Sequence, residues 1–294
     1  MENNSTAPYL AIAEQAMQLT WNRTPCNFQK EAIPRLLMMR CVPNNPSAML
    51  LVQGTGCGKS AVPQTVGAVT RGVSLIIENT LSLSTDQHSK IKSANTAHGP
   101  VKAFHLDSIR TKRNKDKVSN LLTTLPSNTN ATIFLFSSPE YLLKEPWITM
   151  IQTLILNGLL RLVCIDEVHQ FVMFGCTFHP EFSLLKDSLF KRIVMDNDTN
   201  SILSVNLNVP LLLMTATFNM ELLSILQTMI GIRITPSMYL WSGRQDMQRR
   251  TVRISVSMSA QYLKCVKMIL TELLSSNLEK KIIIYTNTAS KAEK

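Results

Sequence analysis

No two of the six cysteines in this chain stand at Cys-x-x-Cys spacing; Cys26, Cys41, Cys57, Cys164, Cys176 and Cys265 are scattered over its 294 residues. That argues against a disulfide scaffold and a structural zinc site, and for reduced thiols in an intracellular protein, nuclear if the source is eukaryotic. No uncharged apolar run reaches the roughly 20 residues that a bilayer-spanning helix needs, so no membrane partner is expected. The N-terminus, Met1-Glu2-Asn3-Asn4-Ser5, has neither the basic nor the apolar part of a signal peptide. The glycosylation sequon at Asn3 therefore has no secretory route to serve. Internal repeats and long low-complexity tracts are missing as well. Acids are the minority charge, 20 against 30 basic residues, and the resulting +10 favours polyanionic partners. An apolar fraction of 45% describes a globular chain, long enough for one large or two ordinary domains.

What is present alternates. Apolar runs at 48–52, 73–77, 101–106, 132–136, 160–165 and 210–214 read as buried strands, with helical stretches between most of them. Near-continuous Val, Ile and Leu in strands that alternate with helices imply an α/β fold, with a mostly parallel sheet covered by helices on both faces. Helices are expected over 9–20, over 30–39 (with Pro34 near the start, bending or delaying it) and from the loop after residue 60 to about Thr70. Pro63 falls in the first turn of that last helix, where a missing N–H costs little. After a polar, basic stretch at 237–250 come a strand at 252–256, a helix at 262–274 and a last strand at 281–285. A boundary is drawn there: residues 1–23 as a helical extension, 24–236 as the main lobe, 237–294 as a junction and the start of a second lobe.

Two clusters carry chemistry, each directly after an apolar strand, where parallel sheets hold their ligands. The first is Gln53-Gly54-Thr55-Gly56-Cys57-Gly58-Lys59-Ser60. Its glycines let the backbone turn its N–H groups onto one centre, Lys59 reaches outer phosphates, and the Ser60 hydroxyl suits Mg²⁺. The strict phosphate-loop pattern asks for Gly where this chain has Gln53. The second is Asp166-Glu167-Val168-His169. Phosphoryl transfer to water needs a carboxylate on Mg²⁺ and a group that positions the attacking water; Asp166 and Glu167 supply these side by side. Together the two clusters imply a P-loop NTPase that uses Mg²⁺; the resemblance described next implies ATP as its nucleotide.

From about Thr24 onward the chain resembles the ATPase core of a RecQ-type DNA helicase, in which a RecA-like lobe binds the nucleotide. The Asp166–His169 box stands where that family has Asp-Glu-Ala-His, and the resemblance adds His169 to the catalytic set. The following Gln170-to-Phe182 stretch resembles the family's aromatic-rich loop, which senses single-stranded DNA. It keeps Gly175, Phe178 and Pro180. It departs at Phe174, where the family has Trp, and at Cys176, Thr177 and His179, where it has His, Asp and Arg. Phe174 retains a face for base stacking, whereas His179 lacks the fixed charge and forked donors of Arg. The resemblance also implies that Gln29 reads the adenine edge. It assigns Ser82, Asp86, Gln87 and Ser138 to the DNA backbone, and Thr215 and Thr217 to coupling the nucleotide site with the DNA face.

What the resemblance implies is ATP-driven 3′-to-5′ travel along single-stranded or forked DNA. Residues 281–288 resemble the first strand of a second RecA-like lobe. The later motifs of that lobe, including its arginine finger, would have to come from a longer chain or another protein. Two rival readings stay open: a non-catalytic nucleotide- and nucleic-acid-binding module, and an RNA helicase of the wider superfamily. The basic clusters Arg110–Lys117 and Arg244–Arg253 fit phosphate contacts or plain solvated faces.

Overall fold

The computed structural model describes residues 6–41, 48–78, 91, 100–126, 129–174, 184–193, 209–241 and, further on, 264, 267, 268 and 271. The chain forms two compact units, Met1–Gln248 and Arg249–Lys294. In the second, the four described residues are helical. The strands expected at 252–256 and 281–285, and the basic cluster Arg244–Arg253, lie outside the described residues.

The first unit is built on seven parallel strands: β1 (Ala48–Val52), β2 (Gly72–Ile77), β3 (Val101–His105), β4 (Thr132–Ser137), β5 (Leu160–Ile165), β6 (Leu211–Thr215) and β7 (Tyr239–Trp241). Their order across the sheet is β3-β4-β2-β5-β6-β1-β7. Strands β1, β2, β4 and β6 are buried at every position, which a strand achieves only with both faces of its sheet covered. The covering helices are α1 (Ala7–Trp21), α2 (Asn27–Cys41), α3 (Ala61–Thr70), α4 (Lys112–Thr123), α5 (Pro139–Leu142), α6 (Trp147–Leu156), α7 (His169–Phe174) and α8 (Leu223–Ile230). Helices α1, α2 and α3 pack on one another, and α3 and α6 both lie against β5.

Six strands were legible within a residue at each end because each is mostly apolar. The differences have physical causes. Leu106 leaves β3 and opens a 3-10 turn, Leu106–Ser108, in which Asp107 is buried. Helix α2 starts at Asn27, so Pro34 lies in its middle rather than near its start. The ring withholds only one backbone donor, and it is buried in the core where that loss is offset by packing. Strand β7 was not foreseen. At three residues, Tyr239–Trp241, it is too short to show a period, and it exists because Leu50–Val52 of β1 offers it an edge. It adds to the main sheet beyond residue 236.

Candidate nucleotide site

Strand β1 runs straight into the glycine-rich loop. Gly56 and Gly58 take φ of 77° and 94°, which L side chains rarely adopt, so the loop depends on glycine at both. The first loop residue is pinned sideways, because the Gln53 N–H donates to the Thr215 carbonyl at 3.1 Å, continuing the β1–β6 ladder. Lys59 is buried, and its Nζ donates to the carbonyls of Gln53 (2.9 Å) and Gly54 (3.1 Å), which holds the cation over the loop's own centre. The Cys57 thiol donates to the Gly54 carbonyl at 2.8 Å. Desolvation by the surrounding loop raises that thiol above its ordinary value although the residue is exposed. Ser60 precedes α3 without using its hydroxyl as a cap, which leaves that oxygen available as a ligand.

Gln29 reaches this loop from α2. Its Nε2 donates to the Gly58 carbonyl at 2.9 Å, and its Oε1 accepts the Cys26 N–H at 2.9 Å. A Cβ on Gly58 would approach Gln29 Nε2 to 3.0 Å, a second reason for glycine there.

The acidic loop follows β5. The Asp166 N–H donates to the Ile77 carbonyl (3.0 Å) and that of Val168 to the Met214 carbonyl (2.9 Å), so β2 and β6 clamp the turn from both sides. Between the clamps Glu167 is forced to φ 51°, a left-handed conformation that costs a non-glycine residue energy. Its N–H is taken by Asp166 Oδ1 at 2.9 Å. His169 Nδ1 lies 3.3 Å from Glu167 Oε2 and 2.8 Å from Thr215 Oγ1. The Thr215 hydroxyl donates to the Thr217 carbonyl at 2.9 Å and accepts the Thr217 N–H at 3.2 Å. With that proton on the Thr217 carbonyl, the hydroxyl oxygen is placed to accept an Nδ1–H from His169.

Because β6 lies between β1 and β5 and all three are parallel, both loops emerge at the same edge of the sheet. They are two strand spacings apart, ~10 Å. Thr215, on the strand between them, touches both: its carbonyl holds the glycine loop and its hydroxyl the His169–Glu167 pair. Lys59, Ser60, Asp166, Glu167, His169, Thr215, Thr217 and Gln29 are thus gathered along one edge. Ser138 is at that edge too, past β4, where its hydroxyl and N–H both donate to the Asp107 carboxylate. Ser82, Asp86, Gln87, Phe178, His179 and the side chain of Phe174 lie outside the described residues.

Two site residues escaped the sequence reading. Glu78 follows β2 directly and is buried beside Asp166; burial, and then the Asp166 charge, push its carboxyl up to about 8. Kept protonated near neutrality, Glu78 adds no second negative charge beside Asp166. Its signal was an acid immediately after an apolar strand, the same signal that marked Asp166. Asp107, the partner of Ser138, gave no signal at all.

Among the described residues no three or more His, Cys, Asp or Glu side chains cluster in a way that suits a metal, and no helix is long and apolar enough to cross a membrane. The donor set that does fit a cation is the hard pair Ser60 hydroxyl and Asp166 carboxylate. One or two such oxygens are what Mg²⁺ takes from protein when phosphates complete its shell.

Comparison with known proteins accords with this geometry. The chain is 24% identical over 205 residues to a Caenorhabditis elegans protein named ATP-dependent DNA helicase Q1, covering 69% of this chain and 29% of that protein. The Caenorhabditis briggsae protein of the same name matches at 24% over 186 residues, 63% of this chain and 26% of its own. The chain therefore spans less than a third of the length of these relatives. Among solved structures, the DUF1998 helicase MrfA superposes with a TM-score of 0.61 at 15% identity, over 96% of this chain and 39% of that one, a likeness of fold. The family model described as DEAD/DEAH box helicase matches residues 26–225. With two thirds of its length inside that match, and with its glycine-rich and acidic loops flanking Thr215 at one end of the sheet, the chain belongs to the DEAD/DEAH box helicases.

Proposed function

We propose that this lobe binds ATP with Mg²⁺ and hydrolyses it, as the nucleotide-binding part of a RecQ-like helicase that moves 3′ to 5′ on single-stranded or forked DNA. The observation that carries this reading is the shared edge: Lys59 and Ser60 at one loop tip, Asp166 and Glu167 at the other, both held by Thr215. Magnesium, when bound, neutralises developing phosphate charge, and the Ser60 and Asp166 oxygens are the residues to hold it. Lys59 leaves its two carbonyl partners for the β/γ-phosphates. Glu167 orients the attacking water and accepts its proton, while His169 and Thr215 fix the carboxylate's position. Gln29 exchanges its backbone partners for the adenine edge. A change at either loop then reaches Thr217 and the DNA side through the Thr215 hydroxyl.

The test is ATP turnover with and without single-stranded DNA, for the wild type and Glu167→Gln. Removing a catalytic base of this kind costs about 10²–10⁴ in rate while nucleotide binding persists. Wild-type turnover no faster than that of Glu167→Gln rules the hydrolytic reading out. The departures at Cys176, Thr177 and His179 favour one alternative, a binding module that takes up ATP without turning it over. It predicts tight binding of a fluorescent ATP analogue and no phosphate release from either protein.

A further inference from the structure

Cys26 and Cys57 stand at the two ends of one hydrogen-bonded bridge, and both are exposed. The bridge is the Gln29 amide. Its Oε1 accepts the Cys26 N–H at 2.9 Å, and its Nε2 donates to the carbonyl of Gly58, one residue past Cys57, at 2.9 Å. Two hydrogen bonds and one amide, laid end to end, keep those backbone atoms within about 8 Å of each other. The sulfurs feel one another as well, since charge on Cys26 is among the causes that raise the Cys57 thiol.

The two sides of the pair differ in freedom. Cys26 is fixed at the head of α2, where its carbonyl accepts the Lys30 N–H at 3.0 Å. Cys57 lies between Gly56 and Gly58, and glycine passes among backbone conformations closed to other residues. The remaining described thiols are placed otherwise. Cys164 is buried in β5, and Cys41, exposed too, is at the far end of α2, roughly 20 Å from Cys26 at 1.5 Å per residue.

We propose that Cys26 and Cys57 form a reversible disulfide on exposure to hydrogen peroxide, and that this bond shuts the nucleotide loop. A disulfide needs its Cα atoms about 4.4–6.8 Å apart, which the glycine-flanked loop reaches by shifting toward α2. The Cys26 sulfur attacks one peroxide oxygen, the O–O bond breaks, and the departing hydroxide takes the thiol proton to become water, leaving a sulfenic acid. The Cys57 sulfur then displaces the hydroxyl from that sulfur, and its own proton leaves with the hydroxyl as a second water. Two thiols and one hydrogen peroxide thus give one disulfide and two waters, the sulfurs losing the two electrons that the peroxide gains. A dithiol reverses the step by exchange.

The bond acts on the site in two ways. Cys57 gives up its hydrogen bond to the Gly54 carbonyl, which also holds Lys59, and the loop is drawn off the centre that its N–H groups surround. Gln29, enclosed between the joined cysteines, stays on its backbone partners and cannot turn to a base. This rests on the ATP-binding reading and adds to it a control by oxidation.

The experiment measures affinity of the full chain for a fluorescent ATP analogue before peroxide, after peroxide and catalase, and after dithiothreitol. Wild type, Cys26→Ser and Cys41→Ser are compared; serine is favoured at a helix head, so Cys26→Ser keeps its fold. Oxidation is expected to weaken binding by the wild type and Cys41→Ser about tenfold or more, the worth of one charge-assisted hydrogen bond to phosphate. Dithiothreitol restores it, and Cys26→Ser stays within about twofold of its untreated value. Trypsin leaves Cys26 in peptide 24–30 and Cys57 in peptide 41–59, which also holds Cys41, so the Cys41→Ser protein identifies the bond by mass spectrometry without reductant. The two peptides are expected joined after peroxide and separate after dithiothreitol. An equal loss of affinity in Cys26→Ser, or peptides that stay unjoined, overturns the bond. Joined peptides with unchanged affinity overturn its control of the site. Either result leaves nucleotide binding by the reduced chain standing; a reduced wild type that binds no analogue removes that reading, and the switch with it.

Discussion

Glu167 shows how a single residue is shaped by its neighbours. Its backbone is left-handed because β2 and β6 clamp the residues before and after it, and its carboxylate is then met by His169. Glu78 is the opposite case, a carboxyl pushed up to about 8 by burial first and by Asp166 second. Its folded-state value stands above the ordinary 4.5, so the folded chain holds that proton more tightly than the unfolded one. Its contribution to stability is complete below about pH 4.5 and fades as the pH climbs through 8. Glu78→Gln, neutral at every pH, is therefore expected to flatten the loss of stability between pH 5 and 9. At the alkaline end the variant should exceed the wild type by on the order of 2–4 kcal/mol. Denaturant melts of both proteins without nucleotide, at pH 5, 7 and 9, check this; parallel pH profiles refute it.

Among elements, α3 illustrates how closely the phosphate-loop helix is seated on the sheet. It is buried from Ala61 to Ala68, and Gly67 faces β4. A Cβ at Gly67 would come within 2.7 Å of the Phe134 ring and 2.8 Å of the Ser74 hydroxyl. Glycine in a helix interior costs ~1 kcal/mol against alanine, whereas overpacking a buried ring costs ~1–3 kcal/mol. With contacts this close on backbone-fixed neighbours the clash outweighs the propensity, so Gly67→Ala should lower stability by up to ~2 kcal/mol in urea titration. Adding Phe134→Leu in that background is expected to recover part of the loss. A more stable Gly67→Ala protein would mean that α3 has room to lift, and that the loop above it is less firmly held than the packing implies.

The whole molecule raises the question of where the first unit ends. Strand β7 pairs with β1, and Met238 and Leu240 are each only 6% exposed. A chain cut after residue 248 keeps every nucleotide-site residue and all seven strands, so its affinity for an ATP analogue should stay within about twofold of the full chain's. A cut after residue 236 strips the edge from β1 and exposes the surface those two side chains cover, ~3 kcal/mol or more at 1.5–3 kcal/mol per buried side chain. It should melt earlier and aggregate through the bared strand. Thermal unfolding with light scattering separates the two cuts. Equal stability would place the end of the fold at 236.

The two loops proposed to hold the nucleotide were readable along the chain as loops because each is local. An apolar run stops, glycines or acids follow within a few residues, and no distant partner is needed to recognise them. The same holds for six of the seven strands and for the α/β class. What only folding decided is everything that depends on which strands lie side by side. Thr215 becomes the shared partner of both loops because β6 inserts between β1 and β5. Glu78 becomes a protonated neighbour of Asp166 because β2 lies beside β5. Asp107 finds Ser138 across 31 residues, and β7 exists because β1 has an edge to fill. Strand order is set by burial and pairing between segments far apart in the chain, and composition or spacing within any one segment carries no record of it.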